Sequence, residues 1–302
     1  MTPAVSGSGG RVLVVGDLVT DVVAAVDGEL AVGSDTAAAI TIGGGGQGAN
    51  TAAWLAHAGC PVTLIAVVGD DAAGRERIAE LTALGVECAV RPHPGARTGS
   101  VVVLTSADER TMITDRGAAL LLDPAEVAAA IKAAPDAVHL HLSGYPLLEA
   151  ASRPAGLAAL AGARERGLST SVDAASAAPL RHLGTQTFLD LVRETDLLLV
   201  NADEAAVLAG PGSPAEQGVV LAHTARNVVV KLGPDGAVWC RRESVLRSAT
   251  AARVPMKDPT GAGDAFAAGL LAAWSAGAEP AAALAAGAAL GAKAVAKIGA
   301  RP

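Results

Sequence analysis

Aromatic side chains are scarce in this chain, which has one tyrosine, two phenylalanines and three tryptophans among 302 residues. No aromatic stripe is available on which bases could stack, and no cluster of lysine and arginine stands beside one. Nucleic acid is therefore not an expected partner. Cysteine is equally sparse. Cys60, Cys88 and Cys240 are odd in number and far apart, which argues against a disulfide framework or a structural zinc site and points to a reducing cytoplasm. His57, His93, His139, His141, His182 and His223 show no metal-ligand spacing; His139 and His141 share one face of a strand and read as structural or pocket-lining. Residues 1–10 lack the basic flank and apolar core of a signal peptide. Long hydrophobic runs are missing too. Alanine makes up much of the apolar content, and glycine or charge interrupts each run before about 18 residues, so no membrane span is expected.

What the chain does have is a regular alternation. Short β-branched runs recur at Arg11–Val15, Val62–Val68, Ala137–Leu142, Ser169–Val172, Leu197–Val200 and Asn227–Leu232. Continuous apolar strands of this kind are those buried on both faces. Helix-like segments lie between them: Ala49–Ala58 stopped by Gly59 and Pro61, Ala72–Leu84 stopped by Gly85, Pro124–Ala133 behind the cap Asp123, and a last alanine-rich stretch, Pro280–Lys297. The alternation predicts an α/β fold, a three-layer α/β/α sandwich around a mostly parallel sheet, built as a single domain over residues 1–302. Two stretches break the rhythm. Val19–Ile42 and Thr98–Thr114 read as extended chain outside the main sheet, and a small β lid formed by about 18–42 and 97–115 is expected over the carboxyl ends of the strands. The formal charge of −7 speaks to solubility and leaves local anion binding open.

Two glycine-rich turns carry the chemistry. Asp258-Pro259-Thr260-Gly261-Ala262-Gly263-Asp264-Ala265-Phe266 joins two acids through a tight turn that opens onto an apolar helix. The first amides of such a helix have no internal acceptor, and its dipole favours an anion. Asp264 in that cradle would repel a phosphate, and it sits where it could accept a proton from an attacking hydroxyl, so phosphoryl transfer is the first hypothesis. The second turn is Gly43-Gly44-Gly45-Gly46-Gln47-Gly48-Ala49-Asn50. It lies too far beyond the first strand for a dinucleotide fingerprint, and Gln47 and Asn50 add groups that read the hydroxyls of a polyol. No Walker-A lysine motif and no protein-kinase catalytic set is present.

Taken as a pair, Gly45-Gly46-Gln47-Gly48-Ala49-Asn50 and Asp258–Asp264 resemble the two signatures of the ribokinase or phosphofructokinase-B family of carbohydrate kinases. Gly16-Asp17 with Asp21, Asn201-Ala202-Asp203-Glu204, Lys231-Leu232-Gly233 with Gly236, and Gly299-Ala300 follow in that family's order, so the resemblance covers nearly the whole chain. It implies a ribokinase-like fold and ATP-dependent phosphorylation of a hydroxyl, expected to be a primary alcohol, of a sugar or sugar acid. Asp264 matches the general base, and the backbone of Gly261, Ala262 and Gly263 the anion hole. Asp21, Gly45, Gly46, Gln47 and Asn50 match the substrate side. Asn201, Lys231, Gly233 and Gly236 match the ATP side, with Glu204 acting on Mg²⁺ through water. Asp258 and Thr260 match a segment that holds a monovalent cation, K⁺, in some relatives. Subunits of some relatives pair through the β lid, which makes a homodimer an expectation.

Departures concern the substrate. Gln47 stands where ribokinase has lysine and Val19 where it has asparagine, so ribose is not implied. Arg110, Asp115 and Arg116 in the appendage could reach an acidic or phosphorylated sugar. A nucleoside kinase of the same fold is the alternative, and it would need a base pocket for which Trp54 is the candidate. A non-catalytic metabolite-binding relative would have lost the base or its glycines.

Overall fold

The computed structural model describes residues 10–26, 28–105, 110–242, 244–247 and 254–302. The amino-terminal stretch 1–9, Asp27 of the Asp27-Gly28 break, most of the turn expected over Ser106–Arg110 and the side chain of Arg110 lie outside the described residues. The strands, in chain order, are β1 (Arg11–Val15), β2 (Val19–Val26), β3 (Ala38–Gly45), β4 (Val62–Gly69), β5 (Glu87–His93), β6 (Ser100–Thr105), β7 (Arg110–Asp115), β8 (Ala137–Ser143), β9 (Ser169–Asp173), β10 (Leu197–Asn201), β11 (Val228–Lys231), β12 (Ala237–Arg241) and β13 (Ser244–Arg247). Nine of them form one sheet in the order β13-β12-β11-β10-β9-β8-β1-β4-β5. Neighbours from β5 across to β11 are parallel, and the hairpin β12–β13 closes one edge antiparallel.

Burial on both faces explains why these strands read as unbroken apolar runs. Leu13 and Val15 enter one hydrophobic cluster while Val12 and Val14 enter the other; Leu198 and Val200 alternate with Leu197 and Leu199 in the same way. Each fully buried leucine or valine contributes roughly 2 kcal/mol of transfer free energy. One face is covered by the helices Gln47–His57, Ala262–Ser275 and Pro280–Val295, the other by helices including Pro124–Ala133, Arg153–Glu165 and Pro214–Leu221. The three layers expected from the alternation are present. Among the described residues no helix is long and apolar enough to cross a membrane.

The four remaining strands form a separate sheet, β3-β2-β6-β7. It is mixed: β2 pairs antiparallel with β3 and parallel with β6, and β6 pairs antiparallel with β7. The glycine run is only partly a turn. Gly43, Gly44 and Gly45 continue β3 against Asp21, Thr20 and Val19, and the chain turns at Gly46. Several parallel strands also run one residue beyond their apolar stretch, ending on Ser143, Asp173 and Asn201, because backbone pairing continues to that polar residue.

Candidate active site

The chain leaves β1 toward β4 on one side and returns through β8 on the other, so the crevice between β1 and β8 is the topological switch point where α/β sheets bind ligands. Polar residues converge on this edge. Ser143 pairs in register with Asp173, and Asn201 with Lys231. The buried Asp173 carboxylate accepts from Lys231 Nζ at 2.5 Å, from Gln47 Nε2 at 2.9 Å and from the Ala175 amide at 3.1 Å. Ser143 Oγ donates to Gln47 Oε1 at 2.6 Å and lies 3.4 Å from Asp17 Oδ1, which also accepts from the Gly48 amide at 3.2 Å. Burial opposes the charge of Lys231, yet Asp173 and Glu204 outweigh it and hold its pKa above the usual lysine value.

Asp264 stands over this network. It occupies the first turn of the helix Ala262–Ser275, whose cap is Gly261 in the left-handed region at φ 75°. The helix's own bonding begins with Ala265 N–H donating to Gly261 O at 2.9 Å, so the amides before it sit at the positive helix end. One of the three backbone groups read as an anion hole is already engaged, since the Ala262 N–H donates to Pro259 O at 3.2 Å and tightens the turn. Gly263 is exposed, and a Cβ placed on it would meet only the Lys231 ammonium, 3.6 Å away. Burial pushes the Asp264 carboxyl up to about 7; the Asn50 amide, donating at 3.0 Å, pulls it down, Asp173 pushes it up, Lys231 pulls it down and Asp17 adds a push upward.

On one side of Asp264 lie Asp21, Gly45, Gly46 and Asn50. Asp21 shares a face of the smaller sheet with the buried Val19, Val101 and Val103 and the half-buried Val23, and a Cβ on Gly45 would fall 1.9 Å from its Oδ1. Glycine at 45 thus makes room for the acid. Two substrate-side expectations change. Gln47 spends both ends of its amide on Asp173 and Ser143, so it braces the strand ends. Trp54 is buried with its indole N–H donating to Ala300 O at 2.8 Å, which removes it as a base platform. Arg116 lies 3.4 Å from Asp17 and 3.6 Å above the Tyr145 ring, and Asp115 accepts from the Gly117 amide at 3.0 Å within its own turn.

On the other side a cleft of about 730 Å³ opens between β11 and the last two helices. Asn201, Lys231, Gly233, Gly236 and Gly263 give it a polar rim, while Phe266, Met256, Ala288 and Val295 supply an apolar wall that sequence reasoning did not foresee. Asn201 and Glu204 form a reciprocal capping box at the start of the helix Ala202–Ala209, with Glu204 Oε2 accepting from the Asn201 amide at 2.8 Å and Asn201 Oδ1 from the Glu204 amide at 2.9 Å. Burial raises the Glu204 carboxyl to about 7 against the pull of Lys231. Asp258 turns both oxygens into the loop, accepting from the amides of Thr260 at 2.8 Å and Gly299 at 2.9 Å.

A family model described as "pfkB family carbohydrate kinase" matches residues 10–302. The chain belongs to the pfkB family of carbohydrate kinases. As such it is a phosphotransferase acting on a sugar hydroxyl. It is 31% identical over 244 residues to the 2-dehydro-3-deoxygluconokinase of Thermoproteus tenax, covering 78% of this chain and 74% of that one. It is 32% identical over 235 residues to the ATP-dependent ribose-1-phosphate kinase of Halopiger xanaduensis, covering 76% and 73%. A candidate ribokinase II from E. coli, solved in complex with ATP and Mg²⁺, has the same fold at a TM-score of 0.85 and 24% identity, covering 96% and 94%. The pfkB kinase described here therefore has the ribokinase-like architecture expected from its sequence. Ser143 and Asp173, which join this network, were not singled out in the sequence; each is the last residue of a parallel strand, and that position was the available signal.

Proposed function

We propose that this pfkB kinase transfers the γ-phosphoryl group of ATP to a primary hydroxyl of a sugar or sugar acid, with Asp264 as general base. The observation that carries the reading is Asp264 itself, a carboxyl raised to about 7, which follows Gly263 on the rim of the nucleotide-sized cleft and accepts from Asn50 on the substrate side. A base with such a pKa takes up the hydroxyl proton without being fully protonated beforehand at neutral pH. The acceptor oxygen bonds to the γ-phosphorus, the bond to the bridging oxygen of ADP breaks, and the proton passes to Asp264. Lys231 and the exposed Gly263 amide lie where charge on the moving group needs neutralising, and the Phe266–Val295 wall suits an adenine face.

Asn201, on the rim of the same cleft, and the buried Glu204 bonded to it are the residues that would face Mg²⁺ and its waters. Buried Glu204 fits a cation, because a positive charge nearby would hold it ionised. When bound, the ion supplies charge neutralisation to the phosphates. For K⁺ the fit is weaker: both Asp258 oxygens already serve the loop, so potassium enters as an assay variable.

Asp21, on the covered face of the smaller sheet, suits two vicinal hydroxyls, and that sheet is the lid we infer over the acceptor. A sugar or sugar acid is preferred to a nucleoside because Trp54 is buried and hydrogen-bonded. The relatives' own substrates, 2-dehydro-3-deoxygluconate and ribose 1-phosphate by name, are both anionic and lead the panel to be assayed. The opposite face of the lid carries the row Ile42, Val22, Val102 and Ile113, whose outer members are 69% and 58% exposed; this apolar row supports a homodimer through the lid. Cys60, Cys88 and Cys240 are all free thiols, in keeping with the cytoplasm.

The test is Asp264→Asn. Turnover should drop on the order of 10³-fold while nucleotide binding persists, because an amide cannot take the proton. Substrate-dependent ADP release within a few-fold of wild type would sink the assignment.

A further inference from the structure

The segment Gly299–Arg301 threads between the two glycine turns. Gly299 is held by Asp258, Ala300 O accepts from Trp54, and a Cβ on Gly261 would fall 2.5 Å from that same oxygen. Arg301 follows, its side chain only 10% exposed. Its guanidinium donates in three directions: Nε to Asn50 Oδ1 at 3.2 Å, Nη2 to Gly45 O at 3.0 Å and Nη1 to Glu80 Oε2 at 3.2 Å. A Cβ on Gly44 would lie 1.8 Å from Nη1, so the glycine run leaves the space that the guanidinium fills.

A guanidinium has donors only, whereas a carboxamide has a donor end and an acceptor end. Arg301 takes the acceptor end of Asn50, and the donor end is then what faces Asp264 Oδ2, at 3.0 Å. The flipped amide would set donor against donor at Arg301 and oxygen against carboxylate at Asp264, so the two neighbours together determine the orientation. We propose that Arg301 is a positioning residue, which by donating to the Asn50 oxygen selects the amide orientation that donates to Asp264 and aims the base at the acceptor hydroxyl. The inference rests on Asp264 being the base.

Without the guanidinium the Asn50 amide is free to present its oxygen to Asp264, which favours the protonated acid. The charged groups around the pair are Asp173, Asp17 and Lys231 at Asp264, and Glu80, Asp21 and Arg77 at Arg301. Arg301 is itself well compensated, and Asp264 has Lys231 as its cationic neighbour. Removing Arg301 therefore acts on Asp264 through Asn50.

The experiment compares Arg301→Ala, Gly44→Ala and Glu80→Gln by steady-state kinetics on the substrate found in the panel, each made in wild-type and Asn50→Ala backgrounds. Arg301→Ala should lower kcat roughly tenfold, the loss of one hydrogen bond to a charged group, with the KM for ATP held. Gly44→Ala, which displaces the guanidinium without deleting it, should give the same pattern. Glu80→Gln, which neutralises the carboxylate paired with both Arg301 and the buried Arg77 but leaves the bond from Arg301 to Asn50, should keep kcat near wild type. In the Asn50→Ala background the Arg301 effect should vanish. A second measurement needs no turnover: the ¹³Cγ signal of Asp264, followed against pH, should titrate at higher pH in Arg301→Ala than in wild type or Glu80→Gln. An unchanged midpoint, or an undiminished Arg301 effect in the Asn50→Ala background, overturns the proposal. Should Asp264→Asn keep its turnover, the base assignment falls, while the carboxyl titration still decides whether Arg301 acts on Asp264 through Asn50.

Discussion

Two of the helices that begin at a glycine with positive φ open onto the site, at Gly46 (99°) and Gly261 (75°), and their surroundings differ in kind. The first turn is closed. A Cβ on Gly46 would fall 2.5 Å from Asp17 O and one on Gly48 would fall 2.8 Å from Gly16 Cα, so backbone packs on backbone with no room left. The second is open at its functional position: Gly263 is exposed and faces one ammonium at 3.6 Å. A glycine-rich entry to a helix therefore serves two ends in one molecule. At the first it lets β1 and the helix Gln47–His57 approach, fixing Asn50 beside Asp264; at the second it leaves Gly263 exposed, where we propose that a phosphoryl group sits.

The sharpest way to break this contrast is Gly48→Ala. Its methyl has backbone on the far side, which cannot yield as a side chain would, and we expect a loss of about 3 kcal/mol in urea denaturation. Activity should fall only through the folded fraction and through any shift of Asn50. A midpoint equal to wild type would show that the first turn is as open as the second.

Next comes a change on the open turn with the opposite sign. The folded pKa of Asp264 is about 7 against an ordinary 3.8. Below about pH 4 both folded and unfolded chains hold the proton and no penalty exists. Between there and about 7 the unfolded chain releases it first, so wild type loses roughly 4 kcal/mol as pH rises, and the loss is constant above. Asp264→Asn does not titrate and should be more stable than wild type at pH 8, by an amount that disappears near pH 4. A pH-independent difference in urea midpoints would mean that the carboxyl is not buried enough to be a tuned base. In wild type, kcat/KM should rise with pH to a plateau above about 7, as the carboxylate forms.

How much of this was readable beforehand follows the same division. The turn at Gly261 was legible, and Asp264 could be proposed as its base, because the pattern is local: a positive-φ glycine, the start of a helix and an acid within one helical turn. The parallel sheet was legible from strands buried on both faces. Asp173 and Ser143 were not, since their part depends on which strands lie side by side, and register is a property of the folded sheet. Gln47 was read as a sugar ligand because nothing near it in the chain declares Asp173, 126 residues away, as its partner. Trp54 was misjudged for the same reason, its acceptor lying 246 residues on, and Arg301 is separated from Asn50 by 251. Distance along the chain, rather than weakness of the interaction, hid these contacts.

The smallest expected effect isolates the open turn from everything else in the site. Gly263→Ala adds a methyl at the second position of a helix, in solvent, at ordinary contact distance from the Lys231 ammonium. Alanine is the better helix former by about 1 kcal/mol, so the urea midpoint should hold or rise slightly. The methyl nevertheless occupies the approach to the amides and crowds the Lys231 ammonium, which Asp173 keeps in place at 2.5 Å. We expect kcat to fall about tenfold, a fraction of the loss seen when an oxyanion-hole donor is removed outright, since the donor remains and only its access is narrowed. KM for the sugar should not move, because Asp21 and Asn50 are untouched. If instead the variant loses stability and keeps its rate, Gly263 is packed like Gly48, and the two turns are one device used twice.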